Sequence, residues 1–133
     1  MPLERLFLAI AALLGGSAVA AGAFATHSLR SQLTPRLLEI FETAARYQMY
    51  HALAISLVAL ALGYKLAAPA WLAAAGWAFI GGIVIFCGAL YTLSLLGTTV
   101  MGAIAPLGGA ALIAGWGCVA VAALLGPGKG SLP

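Results

Sequence analysis

The stretch WLAAAGWAFIGGIVIFCGALYTLSLL, residues 71–96, runs for 26 positions without a charged side chain. About 20 apolar residues in an α-helix are enough to cross the hydrocarbon core of a bilayer. Trp71 marks the entry interface, because tryptophan is enriched where membrane meets water. Tyr91 brings polarity towards the far end of the segment. This stretch therefore predicts a transmembrane helix.

Three further apolar segments predict three more spans. They cover residues 6–24, 47–66 and 101–125. Residues 35–46, just before the second of these, carry charges on one helical face and apolar side chains on the other, which is typical of an amphipathic interfacial helix. The predicted fold is all-α: one integral-membrane four-helix bundle over residues 1–133, with a mobile tail at 126–133.

The composition agrees with a membrane protein. Of 133 residues, 64% are hydrophobic and 7% are charged, whereas about a quarter of a soluble domain is charged. This balance argues against an ordinary cytosolic enzyme and against a disordered segment. The formal net charge of +3 comes from six basic and three acidic residues that form no basic stripe. We therefore expect the lipid bilayer as a partner and no nucleic acid.

Local motifs indicate where the first two helices begin and end. Ala18-Val19-Ala20 resembles a signal-peptide cleavage site, but the apolar run continues past it, so a retained helix is expected. Thr34 and Pro35 suit the N-cap and the first position of a helix. Glu42 and Arg46 are spaced as an i,i+4 ion pair.

Small residues predict where the helices touch, because they let transmembrane helices approach closely. Seven glycines are expected to face other helices: Gly16, Gly22, Gly81, Gly82, Gly88, Gly108 and Gly115. Pro106 lies inside the fourth segment and removes the helical donor for the carbonyl of Gly102. Within a bilayer that carbonyl requires another donor.

Polar residues at membrane depth are the main candidates for a functional site. Gln48 and His51 are three residues apart and share a helical face, which points away from the charged arc of the same helix. His27 at the end of the first helix and Tyr91 in the third lie on the same membrane side. We expect these four to form a polar centre. Its predicted supporting residues are Thr43, Tyr47, Arg46, Glu42 and Pro106.

Two interpretations of the polar centre stay open. An ionisable group inside the membrane marks a site for a ligand, proton or ion by default. Alternatively, the polar side chains join helices by hydrogen bonds. Two histidines could ligate a metal or haem in principle, but no other feature supports this, and no metal or cofactor is predicted. Cys87 and Cys118 are interpreted as small buried hydrophobic residues.

Catalytic chemistry is not predicted. The chain has no Asp, and its three Glu residues lie at or outside the interface. Ser17 and Ser56 have no neighbouring base and are interpreted as serines bonded to their own helix. Four short helices enclose little volume for transport. The favoured function is a non-enzymatic scaffold or accessory subunit of a membrane assembly. The alternative is small-molecule, ion or proton handling at the polar centre.

Several motifs resemble those of a known family. GAFATHSL at 22–29 resembles a Gly-Ala-Phe-Gly-Ala-His signature, and TAARYQMYHALA at 43–54 resembles a second one. FCGALY at 86–91 is similar to Phe-Ser-Gly-Ser-Leu-Tyr. IAPLGG at 104–109, with Gly-Trp at 115–116, is similar to Ile-Thr-Pro-Ile-Gly-Gly and Gly-Trp. In this order they identify the chain as a member of the YgdD/YwdK type of small bacterial membrane proteins, which has eukaryotic relatives.

The resemblance implies four spans and no assigned biochemical activity. Ala25 and Thr26 replace the family's Gly and Ala, while Cys87, Ala89 and Ala105 stand where it has hydroxyl side chains. Many relatives carry basic residues after the last helix, which implies an inner-membrane protein with both termini in the cytoplasm. The chain's own basic residues, three on each side, do not decide the orientation. A second copy or another membrane protein is the expected partner.

Overall fold

The computed structural model describes residues 1–128, so the last five positions of the predicted mobile tail lie outside the described residues. Within 1–128 the chain forms four α-helices and no strand. The helices are α1 (Leu3–His27), α2 (Pro35–Gly63), α3 (Pro69–Leu96) and α4 (Met101–Leu125), with a 3₁₀ turn (Leu29–Ser31) after α1. The predicted all-α bundle is confirmed.

The helix ends differ from the predicted ones by a few residues. α1 extends into its polar flanks, to Leu3 and His27, because helical hydrogen bonding continues where the apolar pattern stops. α2 ends earlier than predicted, at Gly63, and Lys65 then takes a left-handed conformation with φ of 53°. α3 begins two residues earlier than predicted, at Pro69, since proline fits the first turn of a helix.

The predicted start of α2 is confirmed. The Thr34 hydroxyl accepts a hydrogen bond from the backbone N–H of Leu37 at 3.3 Å, and Pro35 occupies the first helical position. Of the two expected forms, one helix or two with a bend, α2 is one continuous helix, and the predicted interfacial segment 35–46 is its first part. It lies beside the end of α1, where the Phe24 and Phe41 rings are 6.3 Å apart.

The helices pack in chain order: α1 against α2, α2 against α3, and α3 against α4. Their shared core is filled by side chains such as Phe7, Ile55, Leu72 and Phe79. α1 and α2 are antiparallel, with the start of α1 beside the end of α2. This register brings the middle of α1 next to the middle of α2, which places the polar residues described below.

Three of the four helices are long and apolar enough to cross a membrane: α1, α3 and α4. α2, predicted to span at 47–66, is not among them. The polar residues of α2 lower its mean hydropathy. Two of them, Gln48 and His51, are nevertheless buried, with 7% and 5% of their surface exposed. Gln48 and His51 therefore point into the bundle, and the outer face of α2 beside them carries apolar side chains such as Leu53 and Leu57.

Three of the seven predicted glycines lie at close helix contacts between α3 and α4. A Cβ at Gly82 would be 2.5 Å from a leucine methyl of α4, and one at Gly115 would be 2.6 Å from the Phe79 ring. A Cβ at Gly108 would collide with the backbone nitrogen of Phe86. These two helices approach so closely because their contact positions have no side chains.

The other four glycines were also predicted to face a helix, and for contacts within one chain that prediction is wrong. A Cβ would meet nothing within 4 Å at Gly16, Gly22, Gly81 or Gly88. A helix in lipid is apolar all round, so hydrophobic patterning does not distinguish its inner from its outer face. Gly76 was not predicted, although a Cβ there would collide with the ring of Phe7.

Candidate functional site

Gln48 joins three helices through its side-chain amide. Its Nε2 donates to the carbonyl oxygen of Leu14 at 2.9 Å and to the Ser17 hydroxyl at 2.7 Å, both on α1. Its Oε1 accepts a hydrogen bond from the Tyr91 hydroxyl of α3 at 2.8 Å. A carbonyl only accepts, so the contact with Leu14 fixes which end of the amide is nitrogen. Both N–H groups and the carbonyl are thus engaged inside the bundle.

His51 forms a separate pair of hydrogen bonds. Its Nδ1 lies 2.8 Å from the backbone carbonyl of Tyr47, and its Nε2 lies 3.1 Å from the indole Nε1 of Trp116 on α4. The carbonyl only accepts and the indole N–H only donates. The ring is therefore the neutral tautomer with its proton on Nδ1. A protonated Nε2 would place two donors against each other.

Aromatic rings surround His51. The Tyr47 ring stacks on it at 6.0 Å with an interplanar angle of 24°. Phe79 lies 5.5 Å away on α3, and Trp116 packs edge-on against Phe79 at 5.1 Å. Gly115 makes this possible, because any larger residue would overlap the Phe79 ring. The imidazole is consequently enclosed by apolar surface and hydrogen-bonded only to protein groups.

The prediction that His27 joins the polar centre is wrong. His27 is exposed at the end of α1, and no hydrogen bond in the described part of the chain connects it to Gln48 or His51. Gln48 contacts Leu14, which precedes His27 by about 20 Å along the helix at 1.5 Å per residue. The antiparallel register therefore separates the two side chains. Tyr91 does reach Gln48, whereas the hydrogen-bond partners of His51 are Tyr47 and Trp116.

Of the five predicted supporting residues, one contacts His51 and four take no part in its hydrogen bonds. Tyr47 contacts His51 through both its carbonyl and its ring. Glu42 and Arg46 form the predicted ion pair, with 4.0 Å between Oε2 and Nη2, on the outer surface of α2. Thr43 is half-buried and Pro106 is exposed, and neither side chain takes part in the hydrogen bonds of Gln48 or His51.

Two partners of the polar centre were missed by the sequence analysis. Ser17 was correctly interpreted as bonding to its own helix, at the carbonyl of Leu14, but it also accepts from Gln48. Trp116 was noted only as part of a family motif. An indole N–H in a membrane segment requires an acceptor, and this requirement could have indicated that Trp116 is a partner of the polar centre.

The hydrogen-bonding capacity of this centre is used internally. Among the described residues, every buried side-chain nitrogen or oxygen has a hydrogen-bond partner. No group of three or more His, Cys, Asp or Glu residues within 1–128 is arranged to hold a metal ion. Cys87 is buried and Cys118 half-buried, and both are free thiols. The arrangement is suited to joining helices.

Comparison with known proteins places this bundle in a family. Residues 21–109 match the family model described as protein of unknown function DUF423. The chain is 39% identical to the UPF0382 membrane protein YwdK of Bacillus subtilis over 120 residues, or 90% of this chain and 97% of that protein. It is 38% identical to a UPF0382 membrane protein of Staphylococcus epidermidis over 90% and 96% of the two chains. No solved structure matches. The chain is a membrane protein that belongs to the DUF423 family.

Proposed function

We propose that this membrane protein is a non-enzymatic scaffold or accessory subunit of a membrane assembly. The observation that supports this most strongly is that the polar groups of Gln48 and His51 are hydrogen-bonded to other groups of the bundle. A ligand at Gln48 would have to replace bonds to Leu14, Ser17 or Tyr91. Interhelical hydrogen bonds in membranes contribute about 0.6 kcal/mol on average, so these contacts suit a role in fixing helix positions.

The alternative, handling of a small molecule, ion or proton at this centre, has less support. A site for a ligand needs free hydrogen-bonding groups and a space beside them. Two grooves on the described surface are lined by other residues, and neither of these two includes Gln48, His51 or Tyr91.

We also propose that α2 is the fourth span, which would place both termini on one side of the membrane. α2 has 29 residues, about 43 Å at 1.5 Å each, compared with a hydrocarbon core of about 30 Å. It lies between two helices that are apolar enough to cross. By resemblance to the family, we place the protein in the inner membrane with cytoplasmic termini.

The outer surface offers contact positions for a partner. Gly81 and Gly88 leave open space on α3, and the exposed Val84 lies between them in sequence. Open glycines of this kind allow a helix of another protein to approach closely. We propose another membrane protein as the partner, and a second copy of the chain is the competing outcome.

The experiment is extraction of the tagged chain, expressed at its native level, followed by native mass spectrometry. We expect a discrete species that contains a second polypeptide in fixed ratio. Gly88→Leu should weaken this species without changing the thermal unfolding of the chain, because the position is open. Gly88→Ala, which keeps the position small, is the matched control. A single chain or a homo-oligomer as the only species would contradict the proposal.

A further inference from the structure

A groove runs along the outer side of the contact between α1 and α2. It encloses about 330 Å³ and has an apolar floor that includes Gly22, Ala45 and Met49. The missing side chain of Gly22 keeps the groove open, since a Cβ there would meet nothing within 4 Å. Glu42 and Arg46 line the same groove. Apolar surface beside a carboxylate and a guanidinium is suited to an amphiphile.

The two charges are available to a ligand. The side chains of Arg46 and Glu42 are 57% and 36% exposed, and the Nη2–Oε2 distance of 4.0 Å is at the outer limit of an ion pair. Arg46 uses its Nε to donate to the backbone carbonyl of Glu42 at 3.3 Å. A guanidinium has five N–H donors, so several remain to bind an anionic oxygen, while the Glu42 carboxylate can accept from a cation.

The other end of the same helix pair repeats this chemistry. A second groove of about 140 Å³ lies between the start of α1 and the end of α2. Glu4 and Arg5 line it, together with apolar residues and Gly63. Each end of the α1–α2 contact therefore presents one carboxylate and one guanidinium beside apolar surface. The two grooves lie towards opposite ends of α1 and α2, so if α2 is the fourth span, as proposed above, they face the two headgroup layers.

We propose that the Glu42/Arg46 groove binds a zwitterionic phospholipid with a primary ammonium headgroup. The phosphate would accept hydrogen bonds from Arg46, and the ammonium would donate to Glu42. An anionic headgroup supplies no cation for Glu42, and a quaternary ammonium cannot donate a hydrogen bond to it. The acyl chain would lie over the floor at Gly22. The charge pair thus selects the headgroup, and the apolar floor selects a lipid over a soluble molecule.

The test is native mass spectrometry of the detergent-solubilised full chain with phosphatidylethanolamine, phosphatidylcholine or phosphatidylglycerol added. We expect phosphatidylethanolamine to be retained best. Arg46→Gln and Glu42→Gln should each lower its retention about tenfold, the loss of one charge-assisted hydrogen bond. Arg36→Gln and Glu39→Gln, at exposed positions of the same helix that do not line the groove, should have no effect.

A second pair of variants tests the apolar floor. Gly22→Leu should fill the groove and abolish retention of phosphatidylethanolamine, whereas Gly16→Leu, at an open position outside the groove, should not. Circular dichroism checks that both remain helical. Equal retention of the three lipids, retention unaffected by Arg46→Gln and Glu42→Gln, or equally effective competition by soluble phosphoethanolamine would overturn the proposal. Occupation of the groove by a second copy of the chain would do so as well.

Discussion

Replacing Gly108 by alanine tests the close contact between α3 and α4. The added Cβ would collide with the backbone nitrogen of Phe86 and lie 2.7 Å from its Cα. Backbone atoms cannot rotate away as the end of a side chain can. The two helices would therefore have to separate locally by roughly 1 Å, and a gap of that size forfeits a quarter to a half of each contact energy it affects.

The expected cost follows from this geometry. Overpacking of a tight contact costs about 1–3 kcal/mol in unfolding free energy. The higher helix propensity of alanine offsets about 0.5–1 kcal/mol of this cost, because glycine is a poorer helix former. Gly108→Ala should therefore be less stable than the parent by about 0.5–2 kcal/mol. Gly117→Ala, at an open and exposed position of the same helix, should be as stable as the parent or slightly more stable.

The assay is unfolding by sodium dodecyl sulfate in mixed micelles, followed by tryptophan fluorescence. Trp71, Trp77 and Trp116 report from α3 and α4, the two helices involved. We expect the unfolding midpoint of Gly108→Ala to move to lower detergent fraction, and that of Gly117→Ala to stay. Coinciding unfolding curves for the two variants would refute the close approach of these helices.

Two further predictions concern the tautomer of His51 and the path of α2. In ¹⁵N spectra of the protein in lipid, His51 should show a protonated Nδ1 and an unprotonated Nε2, and Trp116→Phe should shift the Nε2 resonance because it removes that donor. A protonated Nε2 in the parent would contradict the hydrogen bond from Trp116. In a chain without native cysteines, Ser31→Cys and Thr98→Cys should react with an impermeant thiol reagent from one membrane side, and Lys65→Cys from the other. Labelling of Ser31→Cys and Lys65→Cys from the same side would show that α2 does not cross.

The helices could be predicted because run length and apolar composition are local properties. The inward orientation of Gln48 was also accessible, since an unpaired amide in hydrocarbon is costly. Tyr91 was expected near Gln48, but the partners Leu14 and Ser17 were not accessible, because they lie 34 and 31 positions away along the chain. Only the register between helices brings them together, and a single sequence does not specify that register.

The same limit explains the errors. His27 lies at the end of α1, as expected, but the α1–α2 register puts it far from the polar centre. Gly88 and Gly108 look alike in sequence, yet only Gly108 lies at a helix contact. In a soluble protein the polar face would have shown which side is outside. A helix surrounded by lipid has no such face, so inner and outer glycines are distinguished only by the packing.

The central claim is that the polar side chains at membrane depth hold the helices together. A double-mutant cycle of Gln48→Leu and Tyr91→Phe, measured by unfolding in mixed micelles, tests it most directly because these groups share the 2.8 Å hydrogen bond between α2 and α3. We expect a coupling free energy between about 0.6 kcal/mol, the average for such bonds in membranes, and about 1.7 kcal/mol, their maximum. Tyr50→Phe, at an exposed position, should show no coupling to Gln48→Leu. A coupling of zero between Gln48 and Tyr91, in variants that stay folded but lose a bound small molecule, would contradict the claim.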